Sequence, residues 1–241
     1  MPWTPPESPD PFEIHHSASE DARRGAFEDA LAKRLWYHHN ALRLAPSHTG
    51  VRLSFALGDW VTLGEVYPPA RAALVRTRDD TEAAFAADPE NFDLFHDLSS
   101  LNRTLGDRPR TANIFAAVAR RDPEAAGRLY RVAEPSLIAA GCYAECDRFL
   151  DPANRVALAR EAYTSMKAWE DEEPDGEFQP PKHARTFFVR DVATLVALLV
   201  LNNRGGEVAK VRSEALAVVD DDEFRAMLDA AASGHLPPPI G

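Results

Sequence analysis

Apolar side chains recur at helical spacing along most of the chain. The clearest run lies in residues 92–105, where five apolar residues stand three or four positions apart: Phe92, Phe95, Leu98, Leu101 and Leu105. Such spacing places them on one face of a helix, which we expect to end at Gly106. No stretch alternates apolar and polar residues between Asn-Gly or Asp-Gly turns, as a strand hairpin would. The pattern therefore predicts an all-α protein.

Prolines and glycines divide the helical stretches into pairs, each with a helix, a turn and a second helix. The predicted pairs are residues 51–67 with 69–87, 92–105 with 109–121, 124–139 with 143–150, and 183–201 with 207–219. The first helical stretch is expected to begin at Ser17 or Ser19 and to continue to residue 44 as one helix, or as two broken near Gly25. Single helices are expected at 153–169 and 223–232, which gives about ten to twelve helices in all.

Local composition divides the chain into five segments. They are a proline-rich tail at 1–12, helical repeats at 13–169, an acidic and proline-rich loop at 170–182, C-terminal helices at 183–234 that pack on the same array, and a tail at 235–241. The loop is expected to be solvated because six of the eight residues 170–177 are acidic. Both tails are expected to be removable with little loss of stability, since they have little periodic apolar content.

Two stretches carry the motifs of a known repeat family. Residues 60–67 read W-V-T-L-G-E-V-Y and resemble the W-x2-L-G-x2-Y signature of the tetratricopeptide repeat (TPR) family. Residues 105–123 resemble the second half of such a repeat, with Pro123 seventeen residues after Gly106. The register of the first stretch has an alternative, in which residues 57–60 form the turn between two helices.

The resemblance covers about residues 51–152 and implies a divergent α-solenoid of TPR-like type. In this fold antiparallel helix pairs stack with a right-handed twist, and each pair covers the apolar face of its neighbour. The residues expected in the continuous core are Trp60, Leu63, Tyr67, Phe95, Leu98, Phe115, Leu129 and Tyr143.

The charge balance excludes some partners. The chain has 27 Lys and Arg against 38 Asp and Glu, and therefore a formal net charge of -11. The phosphates of nucleic acid and the anionic face of a membrane would be repelled, so neither is an expected partner. The longest apolar stretch, residues 192–201, is about half the length that spans a bilayer and predicts a buried helix. With no secretory pattern at the N-terminus and only two cysteines, a cytoplasmic location is expected.

Two histidine pairs are the main candidates for metal chemistry. His15 and His16 are adjacent in the sequence, as are His38 and His39. Adjacent residues on a helix point about 100 degrees apart, so one such pair seldom supplies two ligands to one ion. Surface or capping histidines are the preferred interpretation. The alternative is an enzyme or metal-dependent regulator built on these two regions.

No other motif indicates a reaction. The sequence contains no phosphate-binding loop of the G-x-x-x-x-G-K-[ST] or G-x-G-x-x-G type, and no G-x-S-x-G elbow. Cys142 and Cys146 lie four residues apart, a spacing that favours small buried residues over a zinc or redox site. We therefore expect no cofactor, no metal and no catalytic residue.

The TPR resemblance implies a function and a surface. In such stacks the first helix of each pair lines the concave side, where the positions turned away from the core are His96, Ser100, Arg103, Arg128 and Arg131. The hypothesis is a non-catalytic scaffold that binds a protein or peptide there, with an acidic segment as the candidate ligand of the arginines. In the alternative, these arginines pair with neighbours such as Asp93 or Glu124 and only solvate the surface. A further hypothesis is a structural subunit of a larger complex.

Overall fold

Helices account for the regular structure of the protein. The computed structural model describes residues 3–172 and 182–238, and this part of the chain contains thirteen α-helices and no β-strand. The all-α prediction is confirmed. The helices are α1 (Pro11–Arg24), α2 (Phe27–Leu44), α3 (Thr49–Leu53), α4 (Phe55–Val66), α5 (Pro68–Ala87), α6 (Phe92–Thr104), α7 (Arg108–Arg121), α8 (Pro123–Ala139), α9 (Tyr143–Asp147), α10 (Pro152–Asp171), α11 (Ala184–Leu201), α12 (Val208–Leu216) and α13 (Asp222–Ala232). Most of the predicted acidic loop, and the last three residues of the predicted C-terminal tail, lie outside the described residues.

The chain divides into two compact units, Met1–Ala140 and Gly141–Gly241. Helices α1 to α8 belong to the first unit, and α9 to α13 belong to the second. The division falls inside the stretch 13–169 that we expected to form one array. It falls there because α10 packs on α11 and α12, which groups residues 152–171 with the C-terminal helices.

The first helix begins earlier than the sequence pattern predicts. Helix α1 starts at Pro11, whereas we expected a proline-rich tail up to residue 12 and a helix from Ser17 or Ser19. The Oδ1 atom of Asp10 accepts a hydrogen bond from the backbone N–H of Phe12 at 2.8 Å. Proline is tolerated at the first helical position because an N–H there would have no partner inside the helix.

The N-terminal segment also packs on the body of the first unit, which the prediction of a removable tail did not anticipate. The backbone N–H of Trp3 donates to Asp29 Oδ1 at 3.0 Å. The Trp3 ring lies edge-on to that of Trp36, with the ring centroids 6.5 Å apart, and Lys33 Nζ lies 5.9 Å from the Trp3 ring centroid. These contacts attach residue 3 to helix α2.

A break at Ser54 separates α3 from α4, where the pattern predicted one helix from residue 51 to residue 67. Ser54 has φ −129° and ψ −87°, and its hydroxyl donates to the carbonyl of Gly50 at 2.6 Å. Serine hydroxyls that bond locally in this way compete with the helical ladder. Residues 57–60 lie inside α4, so the alternative that placed a turn there is wrong.

Glycine and proline end α6 and α7 at the predicted places. Gly106, at the end of α6, has φ +77°, a left-handed conformation that favours glycine because it has no Cβ. Helix α7 follows and ends before Asp122, whose carboxylate accepts hydrogen bonds from the N–H groups of Glu124 and Ala125 and so begins α8. An Asp-Pro pair therefore closes one helix and opens the next.

Neighbouring helices of the first unit pack in chain order. Helix α1 packs on α2, α4 on α5, and α6 on α7. Each second helix also packs on the next first helix, which pairs α2 with α4, α5 with α6, and α7 with α8. The first helices contact one another in succession, from α1 to α4, to α6 and to α8.

The core of the first unit follows these contacts. Leu57, Trp60 and Leu63 of α4 cluster with Leu74 of α5 and Leu101 of α6. A series of rings then joins four successive helices, with Phe85 next to Phe95, Phe95 next to Phe115, and Phe115 next to Tyr130. Of the residues expected in the core, Tyr67 and Tyr143 are only half-buried; the others, Trp60, Leu63, Phe95, Leu98, Phe115 and Leu129, are buried.

Helix α11 forms the centre of the second unit. It packs on α9, α10, α12 and α13, and residues 195–199 have no exposed surface. Its apolar stretch is a buried helix, as predicted. Among the described residues, no helix combines the length and the apolar character needed to cross a membrane.

Candidate binding site

The predicted partner-binding residues lie on two neighbouring helices of the first unit. His96 and Arg103 are on α6, and Arg128 and Arg131 are on α8, which packs against α6. Ser100 also lies on α6 but has only 6% of its surface exposed, so it contributes little to an outer surface. Burial lowers the pKa of His96 below its ordinary value, which keeps its ring neutral at neutral pH.

Each of the three arginines has an acceptor within the protein. Arg103 Nη2 donates to the carbonyl of Leu53 at 2.6 Å. Arg128 Nη2 lies 3.0 Å from a carboxylate oxygen of Glu90, and its Nη1 lies 3.6 Å from Glu124. Arg131 Nη1 lies 3.6 Å from the carboxylate of Glu134. Arg128 and Arg131 therefore pair with neighbouring acids, as in the alternative interpretation, whereas Arg103 donates to an uncharged carbonyl.

Helices α1, α4 and α6 expose large apolar side chains that the sequence pattern did not identify as a site. Phe55 and Val66 of α4 are 74% and 63% exposed, Phe12 protrudes from α1, and Phe92 protrudes from α6. In the described residues of the first unit, only one other large apolar side chain is exposed, Leu44 at the end of α2. Their spacing in the sequence could have identified two of them. Phe55 and Val66 are eleven residues apart, which places them on one side of a helix, away from the side that carries Trp60.

A cleft of about 320 Å³ lies between α2, α3, α5 and α6. His38 and His39 of α2 line it, together with Arg52 of α3 and Asp97 of α6. The two histidines were identified from the sequence as candidates. Arg52 and Asp97 were not, because 45 residues separate them and the sequence pattern does not pair residues at that distance.

Arg52 is the central group of this cleft. Its side chain is buried, and its Nη2 donates to both carboxylate oxygens of Asp97, at 2.6 Å from Oδ2. Its Nη1 donates to the carbonyl of His38 at 3.2 Å and lies 3.3 Å from each nitrogen of the His38 ring. The Nε atom of Arg52 is buried without a hydrogen-bond partner in the described structure.

Burial, together with smaller effects of the positive charge of Arg52 and of the neighbouring His39, lowers the pKa of His38 from 6.5 to about 3. The His38 ring is therefore neutral at physiological pH. It packs edge-on against His39 at 5.3 Å and against Trp60 at 6.0 Å between ring centroids. A neutral, packed histidine has a structural role in the wall of the cleft.

The other histidine pair points in two directions, as adjacent helical residues must. His15 faces α2, where its Nδ1 lies 2.9 Å from Arg34 Nη1 and its ring stacks on Tyr37 at 4.9 Å. His16 faces outward, and its Nε2 lies 3.5 Å from Glu20. Among the described residues, no group of three or more His, Cys, Asp or Glu side chains is placed to hold a metal ion.

The two cysteines lie in the second unit. Cys146 is buried within α9, and Cys142 is half-buried at the start of that helix. The Sγ of Cys146 lies 3.8 Å from the carbonyl oxygen of Cys142, which is the local geometry of a helix turn. This arrangement agrees with the interpretation of Cys146 as a small buried residue.

Comparison of the chain with models of protein families, with curated proteins and with solved structures gives no significant match. The function of this surface and of the cleft must therefore be inferred from their own geometry.

Proposed function

We propose that residues 3–140 form a divergent TPR-like array, a non-catalytic scaffold that binds a protein or peptide partner. The observation that carries this proposal is the order of helix contacts: α1, α4, α6 and α8 touch in succession, while α2, α5 and α7 each join one of them to the next. Contacts of this kind are expected when antiparallel pairs stack along one direction. The first helices then share a continuous surface.

The signature in α4 supports the same proposal. Trp60 and Leu63 are buried, and Trp60 Nε1 donates to the carbonyl of Ala70 in α5 at 3.0 Å. At Gly64 a Cβ atom would lie 3.1 Å from the Cβ and 3.2 Å from the Cα of Arg71. Glycine at this position therefore allows α4 and α5 to approach closely. The motif residues hold one helix pair together, which is the role that the repeat requires.

The partner is expected to bind by apolar anchors. Because Arg103, Arg128 and Arg131 already have acceptors, an acidic segment would have to compete for them. The exposed Phe55 and Val66 have no such competitor, and both lie on α4, one of the first helices. Exposed aromatic residues on a rigid helix are typical hot spots of protein interfaces. We therefore assign the anchoring role to the apolar residues and a peripheral role to the arginines.

Affinity capture from the native cell with matched variants tests the proposal. The double substitution Phe55→Asp and Val66→Asp should reduce capture of the partner by at least about tenfold, because it places charge in the apolar contact. Leu44→Asp is the matched control, since Leu44 is also an exposed apolar residue but lies on a second helix. Circular dichroism should show equal helicity for all three proteins. Capture that is unchanged in the double variant, or equally reduced in the control, contradicts the proposal.

A further inference from the structure

The cleft between α2, α3, α5 and α6 has both a polar floor and an apolar wall. Its volume of about 320 Å³ is at the lower end of the range for small-ligand sites. The apolar wall is formed by Leu42, Ala84 and Leu94. None of these residues belongs to the exposed apolar group proposed to bind a partner, so the cleft is a separate candidate site.

The net charge of the cleft is negative. Arg52 and Asp97 neutralise each other through a two-pronged ion pair. Asp80, on the exposed side of α5, also lines the cleft, and no cation of the described residues lies within ion-pair distance of its carboxylate. One carboxylate therefore keeps an uncompensated charge at the mouth, in a protein whose net charge is already -11.

Thr81 and Asp80 offer hydrogen-bond acceptors to this space. The hydroxyl of Thr81 donates to the carbonyl of Thr77 at 2.8 Å, which leaves the lone pairs of its oxygen available. Asp80 offers two carboxylate oxygens, whereas both oxygens of Asp97 already accept from Arg52, and an ionised carboxylate accepts but does not donate. The unpartnered Nε of Arg52 is a donor, but it is enclosed beneath the surface. A ligand rich in donors and positive in charge fits these groups best.

We propose that this cleft binds an organic cation, an alkylammonium or alkylguanidinium group, whose charge lies at Asp80 and whose stem lies along Leu42, Ala84 and Leu94. Thr81 accepts one hydrogen bond from the cationic head. The same chemistry is available from a free amine and from a lysine or arginine side chain of a peptide.

Amide NMR of the full chain, titrated with three small probes, tests the proposal. n-Butylammonium and n-butylguanidinium should give saturable shifts of residues that line the cleft, whereas the neutral n-butanol should not. Asp80→Asn should weaken binding of both cations about fivefold, because it removes one half-solvated charge contact. Asp93→Asn, which neutralises an exposed carboxylate of α6 outside the cleft, should leave binding unchanged.

A second variant tests the position of the site independently of charge. Ala84→Leu adds bulk to the apolar wall without adding a polar group, and it should abolish the shifts caused by the cations. Putrescine and a short lysine-containing peptide then distinguish a free amine from a peptide side chain. Tighter saturable binding of either one supports the site and shows which of the two is the natural ligand class. Equal shifts with n-butanol, unchanged affinity in Asp80→Asn, or the absence of saturable shifts with every cation would overturn the proposal.

Discussion

Two buried cations in the first unit are each held by a carboxylate on another helix. Arg52 is enclosed next to Asp97, and Lys33 of α2 is enclosed next to Asp21 of α1. A buried charge without a partner would be costly, so each such pair fixes the relative position of two helices. The helical pattern identifies which residues face the core only when they are apolar. A charged residue is expected in solvent by default, and for that reason the sequence revealed His38 as a candidate but neither Arg52 nor Asp97.

His38 should make the stability of the protein depend on pH. Its pKa in the folded protein is lowered from 6.5 to about 3, chiefly by burial, so the unfolded chain binds a proton more readily than the folded one. Stability from the neutral ring is complete above pH 6.5 and is lost as the pH falls toward 3. Urea unfolding of wild type should lose about 1 kcal/mol per pH unit more than His38→Gln in this interval. Parallel pH profiles of the two proteins would contradict this prediction, because they would show that His38 binds its proton equally well in the folded and unfolded states.

At the scale of the helices, local sequence signals such as glycine and proline predicted where a helix ends better than where it begins or breaks. Gly106 ends α6 as expected, because a left-handed residue at that place is a local property of glycine. Proline gives a less certain signal: Pro11 was assigned to a tail, but with Asp10 before it the residue begins a helix. The break at Ser54 depends on a hydroxyl bond to Gly50. The spacing of apolar residues contains no information on such a bond.

The close approach of α4 and α5 predicts opposite effects for two glycines of the same helix. A Cβ at Gly64 would lie 3.1 Å from the Cβ of Arg71 and 3.2 Å from its backbone, whereas a Cβ at Gly58 would meet nothing within 4 Å. Gly58→Ala should stabilise the protein by about 0.5–1 kcal/mol through its helix propensity. Gly64→Ala should instead destabilise it by about 1 kcal/mol, because the helices must separate. Urea unfolding measures both, and a stabilising Gly64→Ala would show that the two helices do not pack this closely.

At the scale of the molecule, the sequence predicted the class of the fold and the burial of residues 192–201 but not the division into two units. The division depends on which distant helices touch: α10 packs on α11 and α12, although we expected it to continue the array of residues 13–169. The family resemblance predicted a partner-binding surface on the first helices, with arginines as the residues that contact the partner. Phe55 and Val66 are exposed on α4, whereas the three arginines already have acceptors, so we propose apolar contact as the chemistry of partner binding.

In the proposed function, α1, α4, α6 and α8, the first helices of successive pairs, form one binding surface. Hydrogen exchange of the full chain, with and without the captured partner, tests this claim most directly. We expect the backbone amides of α1, α4, α6 and α8 to exchange more slowly when the partner is bound, and those of α2, α5 and α7 to be unchanged. Slowing confined to the second helices, or to residues 141–241, would contradict it.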